Sequence, residues 1–384
     1  MRGLALAALA LATGAAAGGG EPPAWGRVPV FAEAESSGCE RVLQRQLERY
    51  GGDLAASVNK LRDMANAARS PLVQAALLRQ VDSVVEHWQA NLATLEATLL
   101  VPFPRALAIA PGRSAANATE PEAYNQTGYD DIYQVLPHAT RDWSDEGAPI
   151  RAQIYAPMVE ELAARLPKGS AVLVPGSGLG RLAFELAAAG GAGFRVTGVE
   201  ASVVMLSAAS ALLRLPPERG PLRLYPFLHD ERQNELTAAE RFAPVALPDA
   251  RPPSRALHLA FEQADFVSSA LRRAKEPRAA EEQRYDAVVT CFLVDAVGQV
   301  EDLIAAIHGS LRPGGLWLNT GPLQYHEHAA VALPLDLLLD AVRAEGFEVE
   351  AVEHLPPVAY RSPRDGEGMR PMLYRPVRWM ARKM

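Results

Sequence analysis

Gly176, Gly178 and Gly180, with Glu200 beyond them, are the residues whose types and spacing speak most directly of chemistry. Glycine lets a backbone pass close to a bound ligand, and a carboxylate about 20 positions on can hold ribose hydroxyls. The apolar run Ala171-Val-Leu-Val-Pro175 before the glycines reads as a buried strand, and an amphipathic helix begins after them. Phe194-Arg-Val-Thr-Gly-Val199 reads as the next strand, closed by Glu200. Together these features describe a nucleotide-like cofactor held at the first switch of a doubly wound sheet.

Two cofactors compete for that loop. A dinucleotide fingerprint spaces its glycines G-x-G-x-x-G. Here the spacing is G-x-G-x-G followed by Arg181-Leu-Ala, which favours S-adenosylmethionine over a nicotinamide dinucleotide. Arg181 could face a phosphate, but an arginine at a helix start is usually solvated. Ala264-Asp265-Phe266 follows the third strand, where an adenine contact falls; an N-cap aspartate is the plain structural alternative. Leu311-Arg-Pro-Gly-Gly315 stops a helix and opens a strand, a structural task for Pro and Gly.

The second half of the chain carries the candidates for acceptor chemistry. Asp295 follows an apolar strand at the carboxyl edge, where ligands bind in such sheets. A buried carboxylate there needs a partner, which an imidazole N–H or a substrate ammonium would supply; capping a helix that begins near Val297 is the alternative. His326 follows Gly321-Pro322, again just past a strand. Arg141 sits in a polar turn before the sheet, and its planar guanidinium suits a carboxylate.

The elements that must position these groups follow from hydrophobic periodicity. Strands are expected at 171–175, 194–200, 257–263, 285–293, 315–320 and 347–353, with helices at 180–190, 202–214, 299–311 and 333–345 between them. This alternation predicts a parallel sheet with helices on both faces, a doubly wound Rossmann-like α/β fold. Residues 36–168 form a separate helical N-terminal region and 169–384 the cofactor-binding domain. Within the helical region, three helices are expected over 38–100, punctuated by Gly51-Gly52 and Ser70-Pro71. A further helical stretch covers 130–166, broken near Gly147-Ala-Pro149, and 229–256 interrupts the alternation as a polar, then Pro-rich insertion.

Composition bounds the rest. The 384 residues are 49% hydrophobic and 22% charged, which is globular rather than disordered. A net charge of −7 argues against nucleic acid or an anionic membrane surface as partner. Cys39 and Cys291 make neither a zinc spacing nor a disulfide framework, though one bridge between them is conceivable. Metal ligands are not expected. Residues 1–20 read as a signal or targeting segment: Arg2 is the positive end, Leu4 to Ala12 the apolar core, and Ala15-Ala-Ala17 a small-residue cleavage site. The sequons at Asn117 and Asn125 fit such a route. Beyond residue 20 no apolar stretch is long enough for a membrane span.

Five strings occur in one order: Arg141-Asp-Trp-Ser144, Val174-Pro-Gly-Ser-Gly-Leu-Gly-Arg-Leu182, Tyr225-Pro-Phe227, Thr290-Cys-Phe-Leu-Val-Asp295 and Gly321-Pro-Leu-Gln-Tyr-His326. In this the chain, over roughly 130–384, resembles the carnosine N-methyltransferases. That family moves a methyl group from S-adenosylmethionine to an imidazole nitrogen of carnosine, giving anserine, and is usually cytoplasmic or nuclear. The resemblance implies cofactor contacts at Arg141, Gly176, Glu200, Asp265, Phe266 and Cys291, and at His138, where the family often has glutamine. It implies substrate contacts, with the catalytic roles, at Asp295, His326 and Tyr374; His328, close by, is assigned none. Departures are Ala201 and Phe227, each at a usual tryptophan, and the Pro- and Arg-rich segment 361–376. A small imidazole dipeptide is the expected partner, and a homodimer is compatible with the chain. The alternatives are another small molecule or a peptide histidine as acceptor, a dehydrogenase, and a non-catalytic cofactor-binding interaction protein.

Overall fold

The computed structural model describes residues 30–31, 36–101, 130–189, 193–216, 218–228, 237–250, 257–274, 284–327, 329–362, 364, 369 and 371–384. Residues 1–20, the sequons at Asn117 and Asn125, and His328 lie outside these.

An eight-stranded sheet organises the described residues. Its strands are β1 (Val30–Phe31), β2 (Ala171–Pro175), β3 (Arg195–Glu200), β6 (Leu259–Gln263), β7 (Tyr285–Cys291), β8 (Leu311–Gly321), β9 (Phe347–His354) and β10 (Val377–Lys383), in the order β1-β6-β3-β2-β7-β8-β10-β9. β4 (Leu222–Leu224) and β5 (Val245–Leu247) form a separate antiparallel pair. Successive side chains of a strand alternate between faces, and here both faces are apolar. Val172 and Val174 enter one hydrophobic cluster while Leu173 enters the other. Near-continuous apolar strands are what a sheet buried on two sides requires.

The expected Rossmann-like alternation is present, with three differences. The sheet is not wholly parallel, because β10 runs antiparallel to β8 and β9. Its sequence, Val-Arg-Trp-Met-Ala-Arg-Lys, hides a strand among cations. Trp379 and Ala381 face one core and Met380 the other. Arg378 pairs with Glu353, Arg382 pairs with Glu350, and Lys383 Nζ donates to the carbonyls of His308 and Leu311. The insertion 229–256 is likewise not wholly irregular, since it supplies β5. The Leu311-Arg-Pro-Gly-Gly turn is already part of β8. It carries Gly314 at φ +75°, and the pairing with β7 shifts register across it.

The helical region differs as well. Two long helices, Ser36–Ala67 and Pro71–Thr94, replace the expected three, and Gly51-Gly52 does not break the first. Each internal glycine disfavours a helix by about 1 kcal/mol, and burial outweighs this. Val42, Leu43, Tyr50, Val58 and Leu61 pack on the second helix and the sheet domain within one cluster. Asn91 reinforces the join: its amide donates to Tyr225 O and accepts from Tyr225 N at 2.8 and 2.7 Å. The helices thus share a core with the sheet domain. Helices Ile132–Trp143 and Ala148–Arg165 follow, separated at Asp145–Gly147 as the Gly147-Ala-Pro149 string predicts. Among the described residues, no helix is long and apolar enough to cross a membrane. Cys39 and Cys291 are both free thiols, so the conceivable bridge is absent.

Candidate functional site

The glycine turn takes the shape its residues allow. Gly176, Gly178 and Gly180 have φ of +62°, +53° and +76°, a region side-chain-bearing residues rarely adopt. A Cβ on Gly180 would come within 2.7 Å of the Phe261 ring, whereas the space where one would stand on Gly178 is open. The turn is therefore pressed against the core at its ends and uncovered in its middle. Glu200 ends β3 beside it. One carboxylate oxygen accepts from Gly178 N at 2.8 Å and the other from Ser202 N at 2.9 Å. Burial lifts its carboxyl above the usual range, opposed by the N–H groups of Ser202, Gly178 and Ala201. A carboxylate has about four lone-pair directions, so these N–H groups orient it without exhausting it. Asp265 caps the helix Phe266–Ala274 by accepting from Ser268 N at 2.8 Å, as the structural reading allows, and its side chain is exposed at the same sheet edge. Phe266 is buried next to it.

Arg141 is not a surface residue. It lies in the helix Ile132–Trp143, is 6% exposed, and forks onto Asp142 through Nε and Nη2 at 2.7 and 2.9 Å. The Tyr360 ring covers the guanidinium at 4.3 Å. Tyr155 Oη donates to the Asp142 carboxylate at 2.9 Å and lies 3.3 Å from Tyr360 Oη, which is 3.5 Å from Cys291 Sγ. Burial pushes the Cys291 thiol up to about 12, so it is protonated at neutral pH. The string Arg141-Asp-Trp-Ser144 also clamps the glycine turn, because Trp143 Nε1 donates to Leu179 O at 3.0 Å. Arg181 is neither solvated nor aimed at a ligand. It is 7% exposed and binds Asp249, Glu185 and the Asp142 carbonyl. Arg151 joins it, pairing with Asp249 and donating to Arg141 O.

His138 sits one turn before Arg141. Burial and the neighbouring Arg141 lower its pKa to about 3, and its Nδ1 is buried without a hydrogen-bond partner. Above an ordinary pKa of ~6.5 the imidazole is neutral folded or unfolded. As pH falls below that, the unfolded chain takes up a proton that the folded chain refuses, so stability is lost on the way down to about 3. His138→Gln removes this titration. Its loss of unfolding free energy between pH 7 and pH 5 should be smaller than the parent's by about 2 kcal/mol. Urea melts at the two pH values measure this, and equal losses would count against it.

The acceptor candidates meet at the other half of the edge. Asp295 is 5% exposed and does not cap a helix, since the next one starts at Val300 with Gln299 before it. It instead organises the loop after β8: its carboxylate accepts from Gln324 N at 2.8 Å and its carbonyl from His326 N at 3.2 Å. Burial raises its carboxyl above the usual range, opposed by the Gln324 N–H, its own N–H and the His326 ring. His326 and Tyr374 line one groove of about 480 Å³ with Gln324, Tyr325 and Glu327. Tyr374 meets Phe292 edge-on at 5.6 Å, and Phe292 stacks on Tyr360. Phe292 has φ +53°, a strained setting for a residue with a side chain, at the end of β7. A continuous line of contacts therefore joins the Arg141 group to the groove. Sequence reasoning missed Asp142, Trp143, Tyr155, Asp249, Phe292 and Tyr360. Three of these stand in quoted strings, where only Arg141, Cys291 and Asp295 received roles.

Buried polar atoms without partners test whether a polar cofactor fits here. Ser177 Oγ in the glycine turn, His138 Nδ1 and Thr320 Oγ1 near the end of β8 are three such atoms. Buried polar groups are normally bonded, so these, with the uncovered Gly178, fit an absent polar ligand. Among the described residues no group of three or more His, Cys, Asp or Glu could hold a metal ion.

Strand order, glycine turn and terminal acid define a Rossmann-like α/β protein with a nucleotide-type cofactor edge. The chain belongs to the carnosine N-methyltransferase family, whose model matches residues 119–384. Carnosine N-methyltransferases of Drosophila melanogaster, Mus musculus and Schizosaccharomyces pombe are 38%, 32% and 31% identical to it, over 48%, 58% and 57% of this chain. The matches cover 40%, 55% and 62% of those proteins, so the chain spans about half the length of the curated relatives it matches. Among solved structures, a magnesium protoporphyrin IX methyltransferase from Synechocystis is 14% identical, at a TM-score of 0.35 over 59% of this chain and 81% of its own.

Proposed function

We propose that this chain methylates an imidazole nitrogen of carnosine with S-adenosylmethionine as donor. The observation that carries this reading is the convergence of Asp295, His326 and Tyr374 on one stretch of the sheet edge, joined through Phe292 and Tyr360 to Arg141. When bound, S-adenosylmethionine supplies a methyl carbon made electrophilic by its sulfonium. Glu200 would hold the ribose, Gly176, Gly178 and Gly180 the close approach of the backbone, and Asp265 and Phe266 the adenine. Arg141 would take the carboxylate, with His138 and Cys291 beside it.

The acceptor needs a free lone pair on its ring nitrogen. An imidazole with a pKa near ~6.5 is largely neutral at physiological pH, so a strong base is unnecessary. What the chain provides is position and desolvation. Asp295 accepts a hydrogen bond from the second ring nitrogen, which fixes the tautomer and stabilises the imidazolium as it forms. His326 and Tyr374 orient the ring or the dipeptide ends. The sites of departure are structurally placed too: Phe227 lies under the Arg364 guanidinium at 4.4 Å, and Ala201 accepts from Gln263 through its carbonyl. A peptide histidine is the second reading, favoured by the open form of the groove.

Glu200→Ala removes a ribose partner. Affinity for S-adenosylmethionine should weaken by about 1.5–3 kcal/mol, the worth of a hydrogen bond to a charged group. Titration calorimetry of parent and variant with S-adenosylmethionine and with NAD checks this. Tight binding of NAD alone by the parent would contradict the cofactor assignment.

A further inference from the structure

Arg141 and Asp142 are adjacent on a helix, and neighbouring side chains on a helix do not face each other. A two-point bond between them is therefore not the default and needs something outside the helix to hold it. Tyr155, on the separate helix Ala148–Arg165, is placed to do so. It is 3% exposed, and its hydroxyl bonds the Asp142 oxygen that also accepts from Arg141 Nε. We propose that Tyr155 is a positioning residue for the cofactor, acting through Asp142 to aim the Arg141 guanidinium at a carboxylate. This rests on the reading of Arg141 given above.

The geometry defines what is aimed. Asp142 occupies Nε and Nη2, so the fork that usually grips a carboxylate is taken. Nη1 is the end left to meet a ligand, through one point rather than two. The Arg141–Asp142 pair is neutral as a unit, so its attraction for an anion depends on direction rather than on net charge. The Tyr360 ring lies over the guanidinium and fixes its plane, but does not bond Asp142. Without the Tyr155 hydroxyl, the Asp142 carboxylate loses its bond from the second helix, and the Arg141–Asp142 pair is left to shift within the plane that Tyr360 sets.

The test compares two ligands that differ at the group Arg141 would hold. S-adenosylhomocysteine carries the amino-acid carboxylate, and 5′-methylthioadenosine lacks it. Calorimetry on the full chain should show the parent binding S-adenosylhomocysteine the more tightly. Tyr155→Phe keeps the packed ring and removes the hydroxyl. Its dissociation constant for S-adenosylhomocysteine should rise roughly five- to twentyfold, as for an indirect loss of one bond to a charged group. Its affinity for 5′-methylthioadenosine should stay within about twofold. Equal weakening for both ligands would show a general packing role and overturn the proposal, as would no change for either. A parent that binds the two equally overturns it as well, because Arg141 then holds no carboxylate. A parent that binds neither removes the cofactor reading and this inference with it.

Discussion

Asp295→Asn should lower turnover on carnosine by roughly 10²–10³, the scale of losing one oriented electrostatic partner, while affinity for S-adenosylmethionine stays within a few-fold of the parent. The substitution keeps the shape of the side chain and its acceptance from Gln324 N, so the loop after β8 should hold its position. On the proposed reading, what is lost is the charge that stabilises a ring becoming cationic during transfer. Burial disfavours the ionised form and lifts the Asp295 carboxyl above its usual range, but the same low dielectric strengthens the attraction of the carboxylate for a neighbouring cation. In the parent, rate should rise with pH through the imidazole pKa of the substrate, because the neutral ring is the nucleophile. Steady-state kinetics on carnosine across pH, for parent, Asp295→Asn and His326→Ala, measures these effects. Full activity in both variants would place the acceptor site elsewhere.

The largest effect on stability should come from Asp249→Ala. Asp249 is the shared counterion of Arg151 and Arg181, and all three side chains are at most 8% exposed in these pairs. Removing one partner of a buried pair leaves an uncompensated charge, and here it leaves two arginines less one carboxylate; a loss of about 3–5 kcal/mol is expected. Glu185 still pairs with Arg181, whereas Arg151 keeps carbonyl oxygens of Arg141 and Ser144. Urea unfolding of parent and variant measures the difference. A change below about 1 kcal/mol would mean that the network contributes little to the fold.

Much of the fold was legible because it is written in local pattern. Ala171–Pro175, the glycine turn and the strand ending at Glu200 fall within a residue of where periodicity puts them, since each is a short apolar run bounded by its own signals. The last strand was not, because Arg378, Arg382 and Lys383 break its apolar pattern and find their partners on β9, the helix Val300–Ser310 and the start of β8. Gly51-Gly52 misled for the opposite reason, local chemistry being overridden by packing from distant helices. Of the site, the titratable residues were visible by type. That Asp295 and His326 fall at one sheet edge was legible too; the hydrogen bonds that tie Asp295 to the loop carrying His326 were not, because they depend on β7 and β8 lying side by side. Nor could sequence show that Arg181 turns inward to Asp249, 68 residues away, or that Tyr360 covers Arg141. Such contacts are products of the tertiary fold.

The proposed reaction is transfer of a methyl group to the imidazole of carnosine. The most direct measurement is incubation of the purified full chain with methyl-labelled S-adenosylmethionine and carnosine, followed by mass spectrometry and fragmentation of the product. The expected product carries one added methyl group on a ring nitrogen and is anserine. Carnosine recovered unchanged by a chain that binds S-adenosylmethionine and methylates another acceptor would contradict the substrate assignment.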